Sequence, residues 1–248
     1  MILFIIGIIV GLVGTTTGIG GGIFVVPILL SLYRFDPQLA VGTSLVVVAL
    51  NAFSGTVAYA RRKRIYWRIS LAVIISGVPG VVTGAYASRF FTGPAFRFIF
   101  AGVLLLTALH LFLRHNNRSE DIKTYTPAEL SPGRAAIMGG IGFLTGFTSA
   151  LLGIGGGIIH VPALIYFLKM PVHAATATSQ FILFNTVWLS IVPHAVWGHI
   201  DYHYGLLMGV GALIGAQAGA FISDRVHSRV IVVLLSCILT FVAVNLLL

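Results

Sequence analysis

Acidic side chains are scarce in this chain, and each of the few falls at a revealing place. There are six in 248 residues: Asp36, Glu120, Asp121, Glu129, Asp201 and Asp224. All lie in loops or at segment ends. Membrane proteins that handle cations often bury Asp or Glu as the ion or proton site, so their absence from the apolar runs points toward a negatively charged solute. Only 8% of residues are charged, against about 25% in a soluble domain, which excludes an ordinary soluble fold. The single cysteine, Cys237, excludes an intrachain disulfide and reads as a small packed residue in the last apolar segment. No HExxH, phosphate-loop or nucleophile–base pattern is visible, so an enzyme is not expected, nor is a cofactor. His199 and His203 flank Asp201 in a short loop, too thin a set to predict a metal.

What is abundant is apolar residue, 58% of the chain, with mean hydropathy +1.02. Eight apolar segments run over residues 2–33, 39–60, 69–88, 96–113, 135–168, 174–197, 203–223 and 229–248. They predict an all-α, polytopic helical membrane protein. The net charge of +9 fits anionic lipid and the positive-inside bias rather than nucleic acid. The N-terminus starts apolar without a basic region, so a cleaved leader is not expected.

The chain repeats itself. Gly18-Ile19-Gly20-Gly21-Gly22 with Val26-Pro27 returns 135 residues later as Gly153-Ile154-Gly155-Gly156-Gly157 with Val161-Pro162. At the same offset Thr43-Ser44 matches Thr178-Ser179, Gly80 and Gly84 match Gly215 and Gly219, and Ala85 and Ser88 match Ala220 and Ser223. A residue gained and lost between Pro27 and Thr43 is expected within this offset. Agreement at separated positions predicts duplication: a first transmembrane repeat over 1–113, a cytoplasmic linker over 114–134, and a second repeat over 135–248.

The first segment of each repeat is too long. About 32 residues of helix would span roughly 48 Å, beyond a hydrocarbon core of about 30 Å. Each is therefore expected to break at its glycines into a hairpin of two short helices. With such hairpins, twelve Lys and Arg fall on one side of the membrane and three on the other; with single crossings the split is nine to six. The first arrangement obeys the charge rule better, and it makes the two repeats inverted.

Candidate binding residues follow from the breaks. An anion is held by the positive ends of short helices and their free N–H groups. Gly20, Gly21, Gly22, Gly155, Gly156 and Gly157 are placed to supply such ends, the alternative being close helix packing. Thr15, Thr16 and Thr17 precede the first cluster, and Thr148-Ser149 the second; their hydroxyls either face a solute or bond back to the helix. Thr43, Ser44, Thr178, Ser179 and Gln180 open the second segment of each repeat, as caps or as ligands. Asn51 and Asn185 are amides in apolar segments, for interhelical bonding or solute contact. His160, beside the second cluster, and His194 are either proton relays or packed histidines.

The chain resembles the TauE/SafE family, the sulfite exporter group, over essentially its whole length. The likeness rests on the two glycine–proline phrases, on Ala40-Val41-Gly42-Thr43-Ser44 with Ala175-Thr176-Ala177-Thr178-Ser179, and on Gly80, Gly84, Gly215 and Gly219. The resemblance implies export of a small sulfur-containing anion (sulfite, sulfoacetate or another organosulfonate) across a bacterial inner membrane. The mechanism expected is alternating access; an anion channel along the same glycine-lined path is the alternative. The expected partners are that anion and the lipid bilayer, with a homodimer left open.

Overall fold

The computed structural model describes residues 1–90, 94–114, 132–223, 225 and 228–247; most of the expected 114–134 linker lies outside the described residues. The described chain is ten helices: α1 (Ile2–Thr17), α2 (Gly22–Ser31), α3 (Pro37–Arg61), α4 (Trp67–Ser88), α5 (Pro94–Arg114), α6 (Pro132–Leu152), α7 (Gly157–Tyr166), α8 (Val172–Val196), α9 (Tyr202–Ser223) and α10 (Ser228–Leu247). Five stretches among them, lying in α3, α4, α6, α8 and α9, are long and apolar enough to cross a membrane.

Both overlong segments break at the glycines. α1 ends at Thr17 because Gly18 turns left-handed, φ 79°, a conformation that costs glycine little. Gly20 and Gly21 also have positive φ, as do Gly153, Gly155 and Gly156. The helix starts of α2 and α7 are 135 residues apart, and so are those of α3 and α8 and of α4 and α9. The offset holds through the α2–α3 turn as well, where Arg34 and its counterpart Lys169 share φ 55°. The residue gained and lost there in the sequence alignment is thus not needed.

Glycine decides which helices touch. In a bilayer, helices associate through close packing rather than hydrophobic expulsion. Gly7 lies against Met208 and Gly11 against Ala212, while Gly215 and Gly219 lie against Ile8 and Leu12. These contacts advance together, so α1 and α9 run the same way. The counterpart pair α6 and α4 does likewise, with Gly142 against Val73, Gly146 against Gly77, and Gly80 and Gly84 against Phe143 and Phe147. The opposite faces of α4 and α9 expose Leu71, Ile75, Val82, Leu206, Val210 and Ile214, the apolar surface expected toward lipid.

α3 and α8 form the centre. α3 runs with α9, pairing Thr43 with Asp201, Leu50 with Gly209 and Ser54 with Leu213. α8 runs with α4, pairing Thr178 with Tyr66 and Phe181 with Trp67. α3 and α8 oppose each other, Phe53 on Phe184 and Gly55 at Gln180. Because α1 and α3 both run with α9, α2 has to carry the chain back toward the end where α1 began. Its 10 residues cover about 15 Å, half a bilayer core. Gly21 packs back on Val10 and Gly14, which places the reversal at Gly18.

Candidate functional site

The two breaks meet at the crossing of α3 and α8. Gly20 and Gly155 both face Val48 of α3 and Leu183 of α8, two residues that are each other's counterparts at the 135-residue offset. Gly22 abuts Gly153 and Ile154, and Gly157 abuts Ile19. The N-terminal ends of α2 and α7 are therefore brought together in the interior, with residues 14–23 and 149–158 all buried.

Each break is held by the other half. Ser44 Oγ donates to the Gly153 carbonyl at 2.9 Å, and Ser179 Oγ to the Gly18 carbonyl at 2.7 Å. These fully buried hydroxyls satisfy carbonyls that the breaks leave without a helical partner. Thr43 and Thr178 cap, but not their own helices. Thr43 Oγ1 accepts from the Asp201 N–H ahead of α9, at 2.9 Å, and Thr178 Oγ1 from the Tyr66 N–H ahead of α4, at 3.2 Å.

The carbonyls before the breaks are also matched. Tyr59 donates its hydroxyl to the Thr15 carbonyl at 2.9 Å, and His194 Nε2 pairs with the Ala150 carbonyl at 3.0 Å. Neither Tyr59 nor the His194–Ala150 pair stood out in the sequence. The signal was present: Tyr59 and His194 are counterparts at the same offset, and so are Thr15 and Ala150.

Backbone amides divide into used and free. Ile19 N–H and Gly20 N–H both donate to the Gly14 carbonyl, at 2.9 and 3.1 Å, so the Gly20 amide is taken. Phe24 and Val25 donate to the Gly21 carbonyl, and Ile159 and His160 to that of Gly156. Among the described residues, the N–H groups of Gly22, Ile23, Gly157 and Ile158 have no backbone acceptor. These are the first-turn amides of α2 and α7, where a helix presents positive potential.

The remaining candidates sort by their contacts. Thr16 bonds to the Leu12 and Gly219 carbonyls and Thr17 to those of Val13 and Gly14. Thr148 bonds back to Leu144 and Asn185 to Phe181. Thr15 Oγ1 instead reaches Asn51 Oδ1 at 2.9 Å, and Gln180 Nε2 reaches the Gly14 carbonyl at 3.1 Å. Asn51 Nδ2, Gln180 Oε1, Ser149 Oγ and both ring nitrogens of His160 are buried without a partner. Buried polar atoms usually find one.

At one end of the molecule the Arg89 guanidinium stacks over Trp197, 5.1 Å from the ring centroid. His199 packs against Trp197 and His194. Partial burial, and then the Arg89 charge, hold His199 below the usual imidazole range.

A cavity of about 710 Å³ lies elsewhere, between α5 and α10, lined by residues that include Leu105, Leu109, Cys237 and Phe241. None of the candidate residues lines it. Cys237 is exposed there, which corrects its reading as a packed residue: its side of α10 faces this groove. Among the described residues, no group of three or more His, Cys, Asp or Glu is placed to hold a metal ion.

The chain matches the family model described as Sulfite exporter TauE/SafE over residues 3–246. It is 32% identical to the "Probable membrane transporter protein YunE" of Bacillus subtilis (strain 168), covering 99% of this chain and 96% of that one. It is 31% identical to a "Probable membrane transporter protein" of Haemophilus influenzae, over 90% and 74% of the two chains. A third relative, "Probable membrane transporter protein MJ0441" of Methanocaldococcus jannaschii, is 28% identical over 96% of this chain and 91% of its own. No solved structure matches. A match that runs nearly end to end, over a bundle whose two breaks fall on the glycine phrases, makes this chain a membrane transporter protein of the TauE/SafE family.

Proposed function

We propose that the chain is a secondary transporter of the bacterial inner membrane that exports a small sulfur-containing anion, sulfite or an organosulfonate, by alternating access. The observation that carries this reading is the meeting of α2 and α7, N-terminus to N-terminus, at the α3–α8 crossing. Among the described residues the amides of Gly22, Ile23, Gly157 and Ile158 at these ends have no backbone acceptor, and none of the six acids of the chain lies in these helices. Two positive helix ends favour an anion and repel a cation. That the solute contains sulfur rests on the family description alone.

The fold supports inverted repeats. α3 and α8 are counterparts at the 135-residue offset and run in opposite directions, as do α1 with α6 and α4 with α9. Two opposed halves rocking about a shared interior site is a common plan for carriers. Val48 and Leu183 close the space between Gly20 and Gly155, which favours an occluded carrier over an open pore. On this reading residues 1–113 and 135–248 are the two repeats, joined by a cytoplasmic linker.

Counterflow tests it. Proteoliposomes loaded with unlabelled sulfite are expected to accumulate labelled sulfite transiently, with saturable rates. Flux that is linear in concentration and unaffected by the trans solute would identify a channel. No flux of sulfite, sulfoacetate, taurine or thiosulfate under any gradient would remove the proposal.

A further inference from the structure

The groove between α5 and α10 has room and no assigned occupant. Its volume of about 710 Å³ is many times the ~15 Å³ that a single water needs. Ala108 and Ser236 are buried at its floor, while Leu106, Leu109 and Phe241 stand exposed along its rim. Thr240 spends its hydroxyl on the Ser236 carbonyl of its own helix, at 2.9 Å. The wall is thus largely apolar, and apolar cavities stay dry.

The groove lies at bilayer depth. α5 has 21 residues and α10 has 20, each about 30 Å of helix, the thickness of a hydrocarbon core. Short links follow α4 and α9, so α5 and α10 each recross the bilayer and oppose one another, as α4 and α9 do. α10 begins at the end of the molecule where the Arg62 guanidinium meets the Ala220 carbonyl of α9. Cys237 lies nine residues along α10 from Ser228, about 14 Å, close to the depth of one leaflet. Just ahead of α10 stands Arg225, exposed, its guanidinium 4.4 Å from the centroid of the Phe221 ring. Arg61 and Lys63 are exposed at the same end. Among the described residues the acids, Asp36 and Asp201, lie at the other end, where α3 and α9 begin.

We propose that this groove binds the acyl chain of an anionic phospholipid from the leaflet at that end, with the lipid phosphate at Arg225. An open apolar groove at this depth is filled from the membrane, since water gains nothing there. A second copy of the chain is the poorer occupant. A twofold dimer sets a patch against the same patch, so two grooves would face each other across a void and forfeit packing on both walls. A flexible hydrocarbon chain instead takes the shape of the groove. Its headgroup supplies the negative charge missing from this end. A guanidinium stacked on a ring still directs its N–H groups outward in its own plane, the geometry that suits phosphate. The site stands apart from the two breaks and does not depend on which solute is carried.

The test is mass spectrometry of the intact full chain in detergent, titrated with phosphatidylglycerol and with phosphatidylcholine of identical acyl chains. Wild type is expected to retain one phosphatidylglycerol, held about fivefold tighter than phosphatidylcholine, the preference that one arginine near a headgroup confers. Arg225→Gln brings the two lipids level without removing either. Cys237→Phe fills the groove from an exposed position, so the bound lipid is lost from a protein that unfolds at an unchanged temperature. In wild type, added phosphatidylglycerol also slows the reaction of Cys237 with N-ethylmaleimide, which locates the chain in the groove. Binding that does not saturate, a lipid held equally by wild type and Cys237→Phe, or a preference unchanged in Arg225→Gln overturns the proposal. So do disulfide-linked dimers formed through Cys237 in native membranes, which assign the groove to a second copy.

Discussion

Ser44 and Ser179 show what one hydroxyl does in this fold. Each is buried and reaches across to the break in the opposite half. Removing either strands a carbonyl in the interior, a cost of about 1–3 kcal/mol. Ser44→Ala and Ser179→Ala are each expected to lower the unfolding temperature in detergent. The double variant should lose about the sum, because the two bonds serve different breaks. A neutral Ser44→Ala would mean that the Gly153 carbonyl finds another donor. His199 behaves differently, since it sits in the loop between α8 and α9. Its folded-state pKa is depressed by burial and Arg89, so the folded chain binds this proton less readily than the unfolded chain. Stability from the neutral ring is then present above the unfolded value of 6.5 and is lost as the pH falls below it. His199→Gln is expected to flatten the acid-side decline in unfolding temperature; an unchanged decline would assign it to other groups.

At the level of the element, glycine does two separate jobs. At Gly18, Gly21 and Gly156 it supplies left-handed backbone. On α1, α4, α6 and α9 it lets helices touch. The Gly215 Cα is so near the Ile8 carbonyl that a Cβ has no room. Gly215→Ala should therefore push α1 from α9 and cost about 1–3 kcal/mol, against near-neutral behaviour for Gly139→Ala, where nothing stands within 4 Å. The difference is measured by unfolding temperature in detergent. The sequence distinguished the first job readily, because three consecutive glycines inside an overlong apolar run leave few other readings. It also located the helices to within a few residues, since hydropathy and loop charge mark the bilayer edges. Which helix a residue serves was beyond it. Thr43 and Thr178 read as caps of their own segments or as ligands, yet they bond the N–H groups ahead of α9 and α4, helices far away in sequence. Tyr59 carries no motif of its own; its counterpart relation to His194 emerges only when both are seen bonded to the carbonyls before the breaks.

For the whole molecule, the proposed function requires two related halves set in opposite directions. α3 and its counterpart α8 are antiparallel, and the bonds from Ser44 and Ser179, from Tyr59 and His194, and to Thr43 and Thr178 recur in both halves. If the helices span the bilayer, Arg64 and His199, counterparts at the 135-residue offset, should face opposite compartments. Single-cysteine variants at the two positions, in a Cys237→Ser background, are expected to react with a membrane-impermeant maleimide from opposite sides of sealed vesicles. Labelling from one side would make the repeats parallel and remove the shared central site. The polar contacts of Thr15 with Asn51 and of Gln180 with Gly14 break the symmetry, because the counterparts Ala150 and Leu45 are apolar.

The most direct test of the central claim is to place the anion. Crystals grown with selenite, a heavier relative of sulfite, give anomalous scattering at selenium. A peak at the α3–α8 crossing, within hydrogen-bonding reach of the first-turn amides of α2 or α7 or of the Asn51 and Gln180 amides, is the predicted result. Peaks confined to the loop surfaces in a protein that still transports selenite would contradict it.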